Sequence, residues 1–140
     1  MSVPERGLLD TSTVILLGRL TDPSVLPDEP VISAVTLAEL SVGPLLADDP
    51  DERAARQAHL QMAEADFDPL PFDAPAARAF GRIAAGLRRA GRKPAARAYD
   101  ALIAATAIST QLPLFTCNPG DFAGMPGLSL RTVPHPDQLP

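Results

Sequence analysis

The stretch Ala98–Phe122, AYDALIAATAISTQLPLFTCNPGDF, constrains the fold more than any other part of the chain. Tyr99, Ala101 to Ala105, Ala107 and Ile108 are apolar or small on every face at helical period, which predicts a buried helix rather than a surface one. Only two charges fall in the stretch, Asp100 and Asp121. A carboxylate in such surroundings is costly unless something compensates it. Leu114, Phe115 and Thr116 read as a short strand, and the turn Cys117-Asn118-Pro119-Gly120 sets Asp121 just beyond it. Acids in this setting call for a cation.

Two upstream segments repeat the pattern. Asp10 is the only charge in GLLDTSTVILLG (Gly7–Gly18), and Glu39 the only one in VISAVTLAELSVGPLLA (Val31–Ala47). Glu39 and Asp121 have no basic neighbour at helical spacing and Asp10 has none in the helix it opens, whereas Asp100 has Arg97 three residues before it as a candidate ion-pair partner. Each acid also has a purely structural explanation. Asp10 can cap a helix, Glu39 can lie on the surface, Asp121 can close a turn, and Asp100 can pair with Arg97. Taken singly these suffice; taken together they do not explain why all four acids fall in the same kind of place.

A chain of 140 residues is expected to form one domain with a real core. That domain is assigned to residues 1–133, followed by a Pro-rich tail, 134–140. Hydrophobic residues make up 46% and charged residues 21%, ordinary values for a soluble protein. No apolar run reaches the ~18 residues of a membrane helix. The start, MSVPERG, has no secretory apolar segment, and the single Cys117 cannot form an internal disulfide, so a reducing cytoplasm is expected.

The net charge of −5 argues against a nucleic-acid partner until its distribution is read. Seven basic residues, Arg78, Arg82, Arg88, Arg89, Arg92, Lys93 and Arg97, lie in Ala74–Tyr99, which contains no acid. The remaining five basic residues therefore face all seventeen acids. A local basic stripe can hold phosphates whatever the global sign, although a solvated helix face and loop would look the same. The stripe runs directly into the helix of Asp100, and Arg88, Arg89, Arg92, Lys93 and Arg97 are the candidate nucleic-acid-contacting residues.

In chain order, Gly7–Leu9 reads as a strand, with Asp10-Thr11-Ser12 capping a helix from Thr13 to Leu20. Val31–Ser33 reads as a second strand, and Ser33 caps a helix from Ala34 to about Leu46. An exposed amphipathic helix starts at Asp48-Asp49-Pro50-Asp51 and runs to about Ala65. Phe67–Pro71 is expected as a third strand. Asp73 caps a helix, Ala74–Ala90, which Gly91 stops. The central helix spans Ala95–Thr110, and Leu114–Thr116 and Ser129–Val133 are the last strands. Strands alternating with helices predict an α/β domain around a parallel sheet. Sites in such sheets lie beyond the carboxyl ends of the strands. Asp10 and Asp121 follow strands, and Glu39 and Asp100 fall in the first turns of helices, so one edge can collect all four.

Carboxylates gathered a few Å apart repel one another, and a hard divalent ion relieves them. His59 and His135 lack spaced partners and Cys117 is alone, which argues against zinc. Metal-assisted phosphodiester hydrolysis fits an all-acid site flanked by a basic rim.

The segments Leu8-Leu9-Asp10-Thr11-Ser12, Thr36-Leu37-Ala38-Glu39-Leu40, Asp100 to Ala107 (DALIAATA) and Thr116 to Phe122 (TCNPGDF) together resemble the PIN domain, and more narrowly the VapC-type toxin ribonucleases. The resemblance spans roughly Gly7 to Val133. It implies a three-layer α/β/α fold with a short central parallel sheet surrounded by helices. It also implies Mg²⁺- or Mn²⁺-dependent endoribonuclease activity, with Asp10, Glu39, Asp100 and Asp121 as catalytic and metal-binding acids. Thr11 or Ser12 and Thr116 would be polar helpers touching metal-bound water or phosphate, and Asn118 would orient the acids. A homodimer and a cognate antitoxin are implied as partners, with the small-residue-rich helices Ala34–Leu46 and Ala74–Ala90 as candidate groove walls. Two other readings compete. A haloacid-dehalogenase-type phosphatase would explain a strand ending in Asp10-Thr11, but it wants a second Asp where Ser12 stands. A PIN-like protein that only binds RNA or a partner is the other.

Overall fold

The structure is a computed structural model that describes residues 3–138; residues 1, 2, 139 and 140 of the expected domain and tail lie outside it. Four short strands, β1 (Arg6–Leu9), β2 (Glu29–Val31), β3 (Leu114–Thr116) and β4 (Leu130–Thr132), form one sheet in the order β2-β1-β3-β4. All three pairings are parallel, with Leu8 opposite both Val31 and Leu114, and Thr116 opposite Thr132.

Strand side chains alternate between faces, and the sheet uses this to build two cores. Leu8 and Leu114 point into one core, made with Ile83 and Leu87 of α4 (Ala74–Arg89) and Ile103 and Ala104 of α5 (Ala98–Ser109). Leu9 and Phe115 point into the other, made with Val14 of α1 (Thr11–Leu16), Leu40 of α2 (Ala34–Leu46) and Ala63 of α3 (Pro50–Asp66). The result is the expected α/β/α layering. Helix α5 buries Ala101, Ile103 and Ala104 to Ala107 completely, because its small side chains let it pack closely between sheet and α4. Each fully buried Ile or Leu in these layers is worth roughly 1.5–3 kcal/mol.

Two glycines serve the layout. A Cβ at Gly7 would lie 2.5 Å from the Phe115 ring, so β1 can pass over that ring only without a side chain. Gly91 has φ +75° and stops α4, as its position in the sequence predicts.

Several boundaries differ from expectation. Phe67–Pro71 is not a strand: only Leu70 forms a bridge, to Ser33. Leu70 donates its N–H to Ile32 O and accepts from Ala34 N–H, but Pro69 and Pro71 on either side have no N–H with which to extend the ladder. The second strand ends at Val31 rather than Ser33. The first helix opens at Thr11 and gives way at Leu17 to a 3₁₀ turn, Leu17–Arg19. The central helix is preceded by a 3₁₀ turn, Pro94–Arg97, and becomes α-helical only at Ala98. In the tail, Pro136–Gln138 form a 3₁₀ turn whose Asp137 pairs with Arg19.

Candidate active site

The strand order makes β1 the pivot. The chain leaves β1 toward β2 on one side and later returns to lay β3 on the other, so the connections diverge at the carboxyl ends of β1 and β3. Such a divergence opens a crevice. Asp10 follows β1 directly, and the 3₁₀ turn Pro119–Phe122 after β3 carries Asp121. Glu39 comes from the second turn of α2 and Asp100 from the first turn of α5.

Asp10 is 4% exposed, and its carboxylate is fully engaged. Its Oδ1 accepts from Thr13 N–H at 3.0 Å, which caps α1, and from the Thr13 hydroxyl at 2.6 Å. Its Oδ2 accepts from the Thr116 hydroxyl at 2.6 Å. The Ser12 hydroxyl lies 3.1 and 3.0 Å from Oδ1 and Oδ2 and donates to the pair. The two threonines are themselves anchored, since Cys117 N–H donates to Thr13 Oγ1 at 3.2 Å and Asn118 N–H to Thr116 Oγ1 at 2.9 Å. Asp10 thus ties the end of β1 to the end of β3. The cap expected of Asp10 is formed, and the same carboxylate bridges the two strand ends.

Glu39 is half-buried and accepts at Oε1 from the Thr11 hydroxyl at 2.6 Å. The Thr36 hydroxyl, 3.1 Å from Thr11 Oγ1 and fully buried, backs this contact. Burial raises the Glu39 carboxyl above its ordinary value; the Thr11 bond opposes the rise and the charge of Asp10 adds to it.

Asp100 is half-buried, and among the described residues no side chain donates a hydrogen bond to it. Its carboxyl is pushed up to about 6, first by burial and then by the charges of Asp121, Glu39 and Asp10, with Arg97 opposing. All three other acids therefore act on Asp100 across the crevice, which brings the four together at one edge.

Arg97 does not pair with Asp100, three residues along. Its Nη1 donates to Asp121 Oδ1 at 3.0 Å. The sequence offered Asp121 no basic neighbour at helical spacing because this one lies 24 residues away and is supplied by the meeting of α5 with the turn after β3.

Among the described residues, no three His, Cys, Asp or Glu side chains are placed to hold one metal ion as they stand. Each of three acids is held separately: hydroxyls and an amide hold Asp10, Thr11 holds Glu39, and Arg97 holds Asp121. The donor set nonetheless suits a hard divalent cation. It is all oxygen, it carries one cation against four acids, and Mg²⁺-like ions are commonly held by one or two carboxylates with waters completing the shell.

The remaining predicted residues divide. Thr11, Ser12 and Thr116 contact the acids directly. Asn118 is exposed and joins through its backbone N–H; its side-chain amide bonds to none of the described residues. Thr13 and Thr36 were not singled out by the sequence reading. The signal for Thr13 was a hydroxyl at the third position after a capping acid; Thr36 had no comparable local signal. Arg88, Arg89, Arg92 and Lys93 are exposed where α4 ends and the chain turns toward α5. The Arg92 side chain lies over Gly124, three residues beyond Asp121, so the basic stripe reaches the rim of the crevice.

The PIN domain family model matches residues 8–128, nearly the whole chain. The chain belongs to the PIN domain family. Among PIN relatives, it is 42% identical over 128 residues to ribonuclease VapC5 of Mycobacterium tuberculosis, covering 90% of this chain and 92% of that one. Ribonuclease VapC4 of the same organism is 34% identical, with 91% and 97% covered. In three dimensions the chain is similar to the VapBC-5 toxin–antitoxin crystal structure from M. tuberculosis, with a TM-score of 0.76, 39% identity, and 93% and 98% of the two chains covered.

Proposed function

We propose that this PIN domain is an endoribonuclease that hydrolyses RNA phosphodiester bonds with a divalent cation, Mg²⁺ or Mn²⁺, as the toxin of a toxin–antitoxin pair. One observation carries the reading: Asp10 and Asp121 follow the adjacent strands β1 and β3, Glu39 and Asp100 come from early turns of α2 and α5, and among the described residues only Arg97 forms an ion pair with any of the four. Acids accumulated without a matching set of cations are poised for a metal.

Asp10, Glu39, Asp100 and Asp121 would hold the ion. When bound, it supplies activation of water and neutralisation of charge on the phosphoryl oxygens. The protein's own part is positioning. Thr13, Thr116 and Ser12 hold Asp10 in one orientation, and Thr11 turns Glu39 toward the crevice. The crevice opens at the end of the exposed Arg88, Arg89, Arg92 and Lys93 stripe, which suits a polyanion entering along it.

The partner reading has its own support. The helix pair offered by the sequence separates clearly. Helix α4 spends its apolar face (Ala76, Ala79, Ile83, Leu87) on the core, whereas α2 ends with Val42, Leu45 and Leu46 exposed, Leu45 by 84%. A groove lined by Thr11, Ile15, Glu39, Leu40, Gly43, Arg56 and His59 leads from that side to the acids. VapBC-5 is a toxin–antitoxin system, and an antitoxin segment in this groove would end beside Glu39. A second copy of this chain would cover the α2 end equally well. Among the described residues no helix is long and apolar enough to cross a membrane.

A phosphatase of the haloacid-dehalogenase type fits less well, because Ser12, where a second acid is needed, instead donates to Asp10. The deciding experiment is cleavage-end mapping on total RNA with wild type and Asp100→Asn. Defined new ends from the wild type alone support the nuclease; equal cleavage by both removes Asp100 from the mechanism.

A further inference from the structure

We infer that Arg97 is the resident counter-ion of the acid cluster, released from Asp121 when a divalent cation loads and then available to hold a phosphate oxygen of the RNA. This rests on the metal-nuclease reading and adds a residue to it.

Among the described residues, the Arg97–Asp121 contact is the only ion pair made by any of the four acids. Its position is unfavourable for mere helix support. Arg97 is the N-cap of α5 and makes no side-chain cap bond. A cation at a helix N-terminus also faces the positive end of the macrodipole. The cluster's charge is what offsets this: Arg97 pairs with Asp121, and its charge also opposes the rise of the Asp100 carboxyl.

The pair is built to part. The two side chains are 35% and 46% exposed, and ion pairs so open to water contribute at most about 1 kcal/mol. Among the described residues the guanidinium makes one hydrogen bond, although it has five N–H donors and a fork that matches phosphate oxygens in pairs. A divalent cation would satisfy Asp121 better than a guanidinium does. Arg97 also follows closely on Arg92 and Lys93, so a backbone laid along the exposed stripe meets Arg97 where it meets the acids.

Calorimetric titration with Mn²⁺, without RNA, tests the first half. Arg97→Gln should bind Mn²⁺ about 3- to 5-fold more tightly than wild type, since a competitor worth up to roughly 1 kcal/mol is gone. Arg92→Gln makes the same charge change on an exposed neighbour and should stay within about twofold. Fluorescence anisotropy of labelled oligouridylate tests the second half. It is run with Ca²⁺, also an oxygen-seeking ion, with the RNA checked intact on a gel. Arg97→Gln should then bind RNA more weakly, with its salt slope reduced by about 0.7, and Arg97→Lys should recover part of the loss. Unchanged or weaker Mn²⁺ binding by Arg97→Gln, or RNA binding equal to wild type, would return Arg97 to a structural role and leave the nuclease reading standing. Wild type that binds no Mn²⁺ would overturn both.

Discussion

Asp10 and Asp100 are the same residue at the same sheet edge, yet the fold treats them oppositely. Asp10 is sealed in, with one amide and three hydroxyls aimed at its two oxygens. Asp100 is half-buried with no donor among the described side chains, and its surroundings push its carboxyl up to about 6. The β1–α1 corner is preorganised, so its acid also holds the sheet edge together. The α5 corner half-buries its acid beside three others and gives it no hydrogen-bond donor, with only the charge of Arg97 opposing. Buried acids are not equivalent: one stabilises the fold, the other is tolerated by it.

The largest expected break in this contrast is chemical. Asp100→Asn should lower RNA cleavage by about 10²-fold or more, as expected when a metal-holding group is lost, while circular dichroism and cooperative unfolding stay native. Loss of the fold in this variant would erase the distinction drawn between the two corners. Asp10→Ala should do the reverse and cost the fold about 2–4 kcal/mol in urea denaturation. It removes a helix cap and leaves the Thr13 and Thr116 hydroxyls buried without their acceptor.

Metal should act on the second corner. Saturating Mg²⁺ or Mn²⁺ should raise wild-type stability by about 2–3 kcal/mol at 100 times the dissociation constant, a melting shift of several degrees. Asp100→Asn should lose most of it; an equal shift in that variant would locate the ion elsewhere.

A smaller effect is expected with pH in the presence of a chelator. Asp100 is raised from 3.8 to about 6 in the folded chain, so the native state holds this proton more tightly than the unfolded one. Its ionisation therefore costs stability progressively as pH rises from about 4 through 6, and the full cost is present by pH 7.5. Asp100→Asn should melt above wild type at pH 7.5, and the gap should narrow toward pH 5. A gap independent of pH would mean that the repulsion is not there. The smallest change concerns the rim: neutralising Arg88, Arg89 and Arg92 together should weaken RNA binding and flatten its salt slope by at most about 2. An unchanged slope would leave the stripe as solvated surface.

Much of the site was legible because apolar runs make a lone acid conspicuous. The order of Asp10, Glu39, Asp100 and Asp121, the capping positions Asp10, Ser33 and Asp73, and the alternation of strands and helices are local signals, and each appears in the fold. What was missed depended on contacts between distant segments. Thr13 lies one hydrogen bond from Cys117, 104 residues along, and nothing near Thr13 reports that. The expected strand at Phe67–Pro71 failed for a local reason, since Pro69 and Pro71 leave Leu70 alone to bond, although its partner Ser33 is fixed only by the fold.

By itself, then, the sequence determined which residues are acidic in oily company, which elements carry them, and that those elements alternate as an α/β domain must. Those properties follow from periodicity, capping and the cost of burying charge, all read within a few residues. Tertiary structure alone decided that Arg97 serves Asp121 rather than Asp100, that α2 and not α4 leaves its apolar end uncovered, and that Asp10 is locked while Asp100 is left strained. Partners are chosen by which strand ends meet across the crevice, and that distance is not written in any local stretch of the chain.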